Sequence, residues 1–241
     1  MAEAVSADAP ALPRPRLLRQ DWLDLSFLHW AVEPSAIAHH FPPGTAPDSF
    51  EGLSYVGLVP FRMANIGFPR GPALLQGFLE TNVRLYSVDA TGRRGVVFLS
   101  LDADRPDAVA AARSVFGLPY RWARMQHQKV DGLHTYTTDL RWPRVAASSS
   151  VTVRPGPSLT PGPFEHFLTA RWGLHVARAG RTWYLPNEHP AWTLQSAELV
   201  DLQDNGLFAS VGLPGLSARP PDHVAYSPGV PAVFGLPRQV P

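Results

Sequence analysis

Phe78-Leu79-Glu80-Thr81-Asn82-Val83-Arg84-Leu85-Tyr86 alternates strictly, and the reading of this stretch decides the fold. Side chains along a strand point to opposite faces in turn, so Glu80, Asn82, Arg84 and Tyr86 share one surface. Leu79, Thr81, Val83 and Leu85 share the other. A turn at Asp89–Gly95 leads into Val96-Val97-Phe98-Leu99-Ser100-Leu101, a nearly continuous apolar run that asks for cover on both faces. Asp104-Arg105-Pro106 then opens a helix, predicted over Asp107–Phe116, that Gly117 and Pro119 stop. The two strands, the helix and the Gly117-Leu118-Pro119-Tyr120 turn frame a pocket.

Upstream, Asp21–Val32 reads as a strand, Ser35–His40 as a short helix behind Glu33-Pro34, and Leu53–Met63 as a second strand. Asn65–Gly77, rich in glycine and proline, reads as a loop. Downstream, Gly132–Trp142 with Ser148–Arg154 and His175–Arg178 with Thr182–Leu185 are hairpin patterns. Phe164–Trp172 is a predicted helix, Trp192–Leu202 a long strand, and Leu207–Leu213 a further segment after the Asp204-Asn205-Gly206 turn. The Pro- and Gly-rich segment from Gly215 is expected to carry no regular structure. Many short strands with three helices, not alternating regularly, point to an α+β chain built on a large antiparallel sheet.

The chain has 241 residues, 45% of them hydrophobic, which suits one domain over residues 17–241 behind a flexible tail, Met1–Arg16. That tail lacks the basic and apolar regions of a secretory signal, and no apolar run approaches the ~18 residues of a membrane span. There is no cysteine, so disulfides and thiolate sites are excluded and a cytoplasmic location fits. The net charge of +1 is dispersed, which leaves no footprint for nucleic acid. Lys129 is the only lysine among 21 basic residues, so amine chemistry has a single candidate.

The Glu80/Asn82/Arg84/Tyr86 row is the main candidate site, because carboxylate, amide and guanidinium on one face converge on a small polar ligand. Glu80 and Arg84 lie ~13 Å apart along a strand and do not pair with each other. A solvated outer sheet face has the same pattern; the buried character of Val96–Leu101 favours an inward-facing row. Tyr120, beside Arg121, offers a phenol that donates to an oxyanion or acts as an acid. His189 in Glu188-His189-Pro190 is a candidate base. The nine histidines show no metal-ligand spacing, and nucleophile-elbow, P-loop and dinucleotide motifs are missing, so neither metal nor cofactor is expected.

Phe78–Tyr86, Gly95–Asp102, Ala112-Arg113-x-x-Phe116-x-Leu118-Pro119-Tyr120 and His189-Pro190-Ala191-Trp192-x-Leu194-Gln195-x-Ala197 resemble the YqjF-like bacterial family of unknown function. That family is distantly similar to acetoacetate decarboxylase, and the resemblance implies a large antiparallel β-barrel or cone with an enclosed cavity. It implies only part of the chemistry. The decarboxylase uses a Pro-Lys-Lys turn whose first lysine forms a Schiff base, whereas the matching turn here is Pro119-Tyr120-Arg121. Its arginine before the first helix falls on Ala31, while its pocket glutamate matches Glu80. The resemblance therefore implies the pocket without the nucleophile. Glu80 and Tyr120 are the expected catalytic pair, and Asn82, Arg84, Tyr86, Arg121, His189 and Trp192 the ligand-binding set. The expected partner is a small organic molecule such as a carboxylate or carbonyl compound, handled by acid–base chemistry. A non-catalytic binding or sensing module and a structural protein with a filled barrel are the other readings.

Overall fold

The alternating row lies within β4 (Leu75–Asp89), hydrogen-bonded on one edge to β3 (Ser54–Gly67) and on the other to β5 (Arg94–Ala103). The computed structural model describes residues 2–241. Before these strands come β1 (Arg16–Val32), α1 (Pro34–Ile37) and β2 (Thr45–Pro47). After them follow α2 (Pro106–Phe116), β6 (Tyr120–Val130), β7 (Leu133–Trp142), β8 (Ser148–Ser158) and α3 (Pro163–Thr169). The chain ends with β9 (Gly173–Arg178), β10 (Arg181–Glu188), β11 (Gln195–Asn205), β12 (His223–Gly235) and β13 (Arg238–Gln239).

The strands form one sheet in the order β13-β10-β9-β5-β6-β7-β8-β11-β12-β1-β3-β4-β2, with extra pairings β10–β12 and β5–β4. Those two pairings close two circuits of neighbours. One runs β1-β3-β4-β5-β9-β10-β12, and the other runs β1-β3-β4-β5-β6-β7-β8-β11-β12. Five strands are common to both, so the period of two sorts their side chains between two interiors. Leu28, Trp30, Val56, Leu58, Val83 and Leu85 pack with Tyr136, Val151, Val153 and Phe208 into a filled core in the larger circuit. Leu25, Phe27, Val59, Phe61, Met63, Phe78 and Leu101 face the smaller one. β4 is the partition.

The helix after β5 forms where the sequence marks it. Pro106 occupies its first turn, where a missing N–H costs nothing, and Gly117 (φ 71°) ends it in the left-handed region, its N–H bonding Arg113 O at 3.1 Å. This helix is a crossover, so β6 returns parallel to β5 (Leu101↔Tyr120), and β5 also meets β9 in parallel at Val96↔Leu174. The expected large antiparallel sheet is parallel at these two places.

Other expectations are corrected as well. The C-terminal segment is not irregular: β12 runs against β1 from Arg16↔Gly235 to His29↔His223. Its other edge pairs β11 only at Ala225–Tyr226 and β10 only at Val233–Phe234, and Pro228 and Pro231 fall in the gap between. Prolines that break a central strand are accommodated on such an unpaired edge. Gly229 (φ 131°) lies so close to β1 that a Cβ there would stand 2.1 Å from Trp22 O. Tyr120, expected to close a turn, begins strand β6, whose outer half is exposed and polar. Leu207–Leu213 holds a 3-10 turn, Ala209–Val211, and Trp192 precedes rather than begins β11. Residues 2–15 carry no helix or strand; Glu3 N–H bonds Gly92 O at 2.8 Å and Leu12 is buried.

Candidate functional site

A cavity of about 320 Å³ occupies the smaller circuit, and all seven of its strands contribute lining residues. Glu80, Asn82 and Arg84 of β4 project into it, joined by Tyr120, His189 and Trp192. The charged row therefore faces the cavity rather than the outer surface of the sheet. Thr81, on the opposite face of the same strand, is buried against Thr138 at 3.1 Å.

Glu80 is 2% exposed, with Tyr120 Oη donating to its Oε2 at 2.7 Å and Asn82 Nδ2 to its Oε1 at 3.3 Å. Burial raises its carboxyl from 4.5 to about 7, outweighing the two donors that favour the anion. Burial and the adjacent carboxylate push the Tyr120 phenol well above its ordinary value, so it stays protonated. Near neutral pH the pair thus holds a carboxyl group poised between acid and base beside a fixed donor.

Arg84 marks the other end of the row. Its Nε and Nη2 donate to Tyr86 Oη, both at 3.2 Å, and Nη2 also reaches Leu168 O at 3.3 Å. No carboxylate among the described residues forms an ion pair with it. Arg171 and Arg94, by contrast, share Asp48, with Arg171 Nη1 at 2.6 Å from its Oδ2. Arg171 is also a lining residue; its guanidinium packs 4.9 Å from the Tyr86 ring centroid, and its Nη2 is fully buried without a partner. Arg84 is therefore the guanidinium with donors to spare at this end of the cavity, and Arg171 stands behind it with its Nε and Nη1 committed to Phe167 O and Asp48.

Tyr86, expected to bind ligand, instead supports Arg84 from outside the lining. Because its oxygen accepts from Arg84, its proton goes to His29 Nε2 at 2.6 Å. His29 Nδ1–H then donates to His223 Nδ1 at 2.9 Å, which fixes both tautomers. Arg121 is not brought to the cavity. Alternation along β6 turns Tyr120 inward and Arg121 to the opposite face, where it grips Asp102 through two bonds of 2.5 and 2.9 Å. Sequence adjacency placed the two side by side; a strand separates them. His189 sits among the rings of Trp22, Trp172 and Trp192. Burial lowers it to about 4, and its Nδ1–H donates to Pro190 O at 2.7 Å, leaving Nε2 as a neutral acceptor.

The sequence reading missed Arg171 and Asn187, both lining residues with an unpartnered buried polar atom. Asn187 had a local signal, since it alternates with His189 and Leu185 along one face. Arg171, just past α3, had none. Among the described residues no group of three His, Cys, Asp or Glu side chains is disposed to hold a metal ion.

The backbone arrangement has counterparts among solved structures. The enduracididine biosynthesis enzyme MppR complexed with pyruvate superposes with a TM-score of 0.58 at 16% identity, covering 96% of this chain and 93% of that one. Acetoacetate decarboxylase from Legionella pneumophila gives 0.61 at 14% identity over 99% and 96%. At these identities the likeness is one of fold. In sequence, the uncharacterized protein YqjF of Bacillus subtilis (strain 168) is 31% identical over 191 residues, 76% of each chain. A family model described as an uncharacterized conserved protein matches residues 19–231, and the chain belongs to that family, DUF2071.

Proposed function

We propose that this protein binds a small carboxylate or carbonyl compound in a β-barrel cavity and performs cofactor-free acid–base chemistry on it. The observation that carries the reading is the buried Glu80–Tyr120 pair at 2.7 Å in the same cavity as Arg84, a guanidinium with no carboxylate partner among the described residues. The closed circuit β1-β3-β4-β5-β9-β10-β12 is the barrel wall in this reading. Arg84 anchors the substrate carboxylate through its planar donors. Ionised Glu80 takes a proton from the carbon beside the carbonyl: the C–H bond breaks, an O–H bond forms, and the electron pair moves to the carbonyl oxygen. Protonated Glu80 no longer needs the Tyr120 proton, so the phenol turns to donate to that enolate oxygen. Reversal of these steps returns the proton and completes exchange or enolisation.

Imine chemistry has no place here, since Tyr120 and Arg121 stand at the turn and Lys129 is exposed on β6. The pyruvate of the MppR complex belongs to that protein, but it makes 2-oxo acids the first panel to test. The lack of cysteine accords with the cytoplasmic location we assign.

The test is binding and exchange measured together. Small 2-oxo acids should raise the thermal midpoint of the protein. Arg84→Ala should weaken their binding about 10- to 100-fold, the loss of charge-assisted hydrogen bonds. In deuterated buffer the protons beside the carbonyl should exchange faster with the parent than with Glu80→Gln. Binding that ignores Arg84→Ala would falsify the anchor. Arg84-dependent binding without exchange would assign the cavity to a ligand-binding or sensing module instead.

A further inference from the structure

The β3–β4–β5 wall also ranks the cavity by depth. Register fixes Asn82 opposite Val59 and Leu101, Glu80 opposite Phe61 and Ala103, Phe78 opposite Met63, and Leu75 opposite Ile66. From Arg84 outward, the residues that β4 presents to the cavity are polar as far as Glu80 and then apolar at Phe78 and Leu75, while β3 is apolar throughout, at Val59, Phe61, Met63 and Ile66; Leu74 follows on the turn, and Gln20 of β1 is the polar exception at this outer level. Across from this outer stretch α2 presents Ala108, Ala111, Ala112 and Val115, small or aliphatic side chains that leave a channel. Two of the lining residues at this end are strongly exposed, Leu74 at 60% and Val115 at 53%, so the cavity opens here with an apolar rim. Phe68, 56% exposed on the adjoining turn, extends that rim.

The donors cluster at the opposite end. Arg171 lies against the Tyr86 ring, and Arg84 lies over both Tyr86 and Phe27. A ligand filling this space must be charged at its inner end, reactive near its middle and apolar over the remainder. From Glu80 to Leu75 the strand advances about 17 Å. A short oxo acid held at Arg84 would leave that length as unfilled apolar channel.

We propose that the ligand is an amphipathic carboxylic acid with an aliphatic chain: head at Arg84, carbonyl beside Glu80 and Tyr120, chain running out between the β3–β4 turn and α2. This rests on the reading of Arg84 as the carboxylate anchor, and it adds the chain. A throat of this kind binds by burying methylenes, so it discriminates by length and stops discriminating once the chain reaches solvent.

The experiment is isothermal titration of straight-chain carboxylates and 2-oxo acids from four to sixteen carbons, with chain-matched primary alcohols as controls. Affinity should rise roughly three- to fourfold per added methylene and then level off. Alcohols should bind at least tenfold more weakly than the acids. Ala112→Trp should block the throat, weakening long acids while leaving four-carbon acids unchanged. The parent series stands by itself if that variant does not fold. Acids that bind through Arg84 with no dependence on length would overturn the chain inference and leave the proposed function standing. Length-dependent binding in which alcohols match acids would overturn both the charged head and the anchor. No binding by any member would overturn the ligand class outright.

Discussion

Glu80→Gln isolates what it costs to keep a carboxylate in this cavity. The glutamine is nearly the same shape, its carbonyl oxygen still accepts from Tyr120, and it carries no titratable proton. In the parent, burial moves the Glu80 carboxyl from 4.5 to about 7. Below pH 4.5 the group is protonated in both folded and unfolded chains and contributes no pH dependence. Between 4.5 and 7 the folded chain holds a proton that the unfolded chain has released, so parental stability falls as pH rises through this window. Above 7 the loss is complete, amounting to about 3 kcal/mol at ~1.36 kcal/mol per pH unit. Glutamine has no such loss, so relative to its position at pH 4.5 the variant should gain about 3 kcal/mol on the parent by pH 8. In a chain of this size that is roughly 6–12 °C in thermal midpoint. Urea titrations of both proteins at pH 4.5, 6 and 8 provide the comparison, and other titrating groups cancel in the difference. Stability curves that run parallel across this range, or a variant that falls behind the parent at pH 8, would refute the claim that Glu80 is buried without a charge partner.

Tyr120→Phe removes the donor that favours the Glu80 anion, so carbon NMR of the labelled carboxyl should show it titrating above its parental value of about 7; an unchanged midpoint would mean the 2.7 Å contact is absent in solution. Arg121→Met strands the buried Asp102 carboxylate and should cost about 3–5 kcal/mol of stability. Carboxylate affinity should be unaltered in any folded fraction, because Arg121 lies on the far face of β6. Borohydride added with 2-oxo acids should leave the protein mass unchanged, and an adduct at Lys129 would reopen imine chemistry.

Much of the local structure was written along the chain. The α2 boundaries followed from Pro106 and Gly117, two residues whose backbone limits act within a single turn. The β7–β8 and β9–β10 hairpins followed from alternation broken by turn residues. β12 was illegible because Pro228 and Pro231 signal a break, and only the gap between β10 and β11 shows why none occurs. The inner half of β6 was hidden by its exposed, polar outer half.

The candidate site divides the same way. Alternation placed Glu80, Asn82 and Arg84 on one face of a strand, since the pleat imposes a period of two wherever the chain is extended. Nothing in that period says which face is covered. The answer came from β9, β10 and α2, which close over the row and leave Glu80 2% exposed. The same limit put Arg121 with Tyr120 in the sequence and on opposite sides of a strand in space. Arg171 and Asn187 reach the cavity from more than eighty residues away, through packing that no local pattern encodes. Sequence determined the chemistry of each face; burial, which depends on how distant strands pack, decided which face lines the cavity.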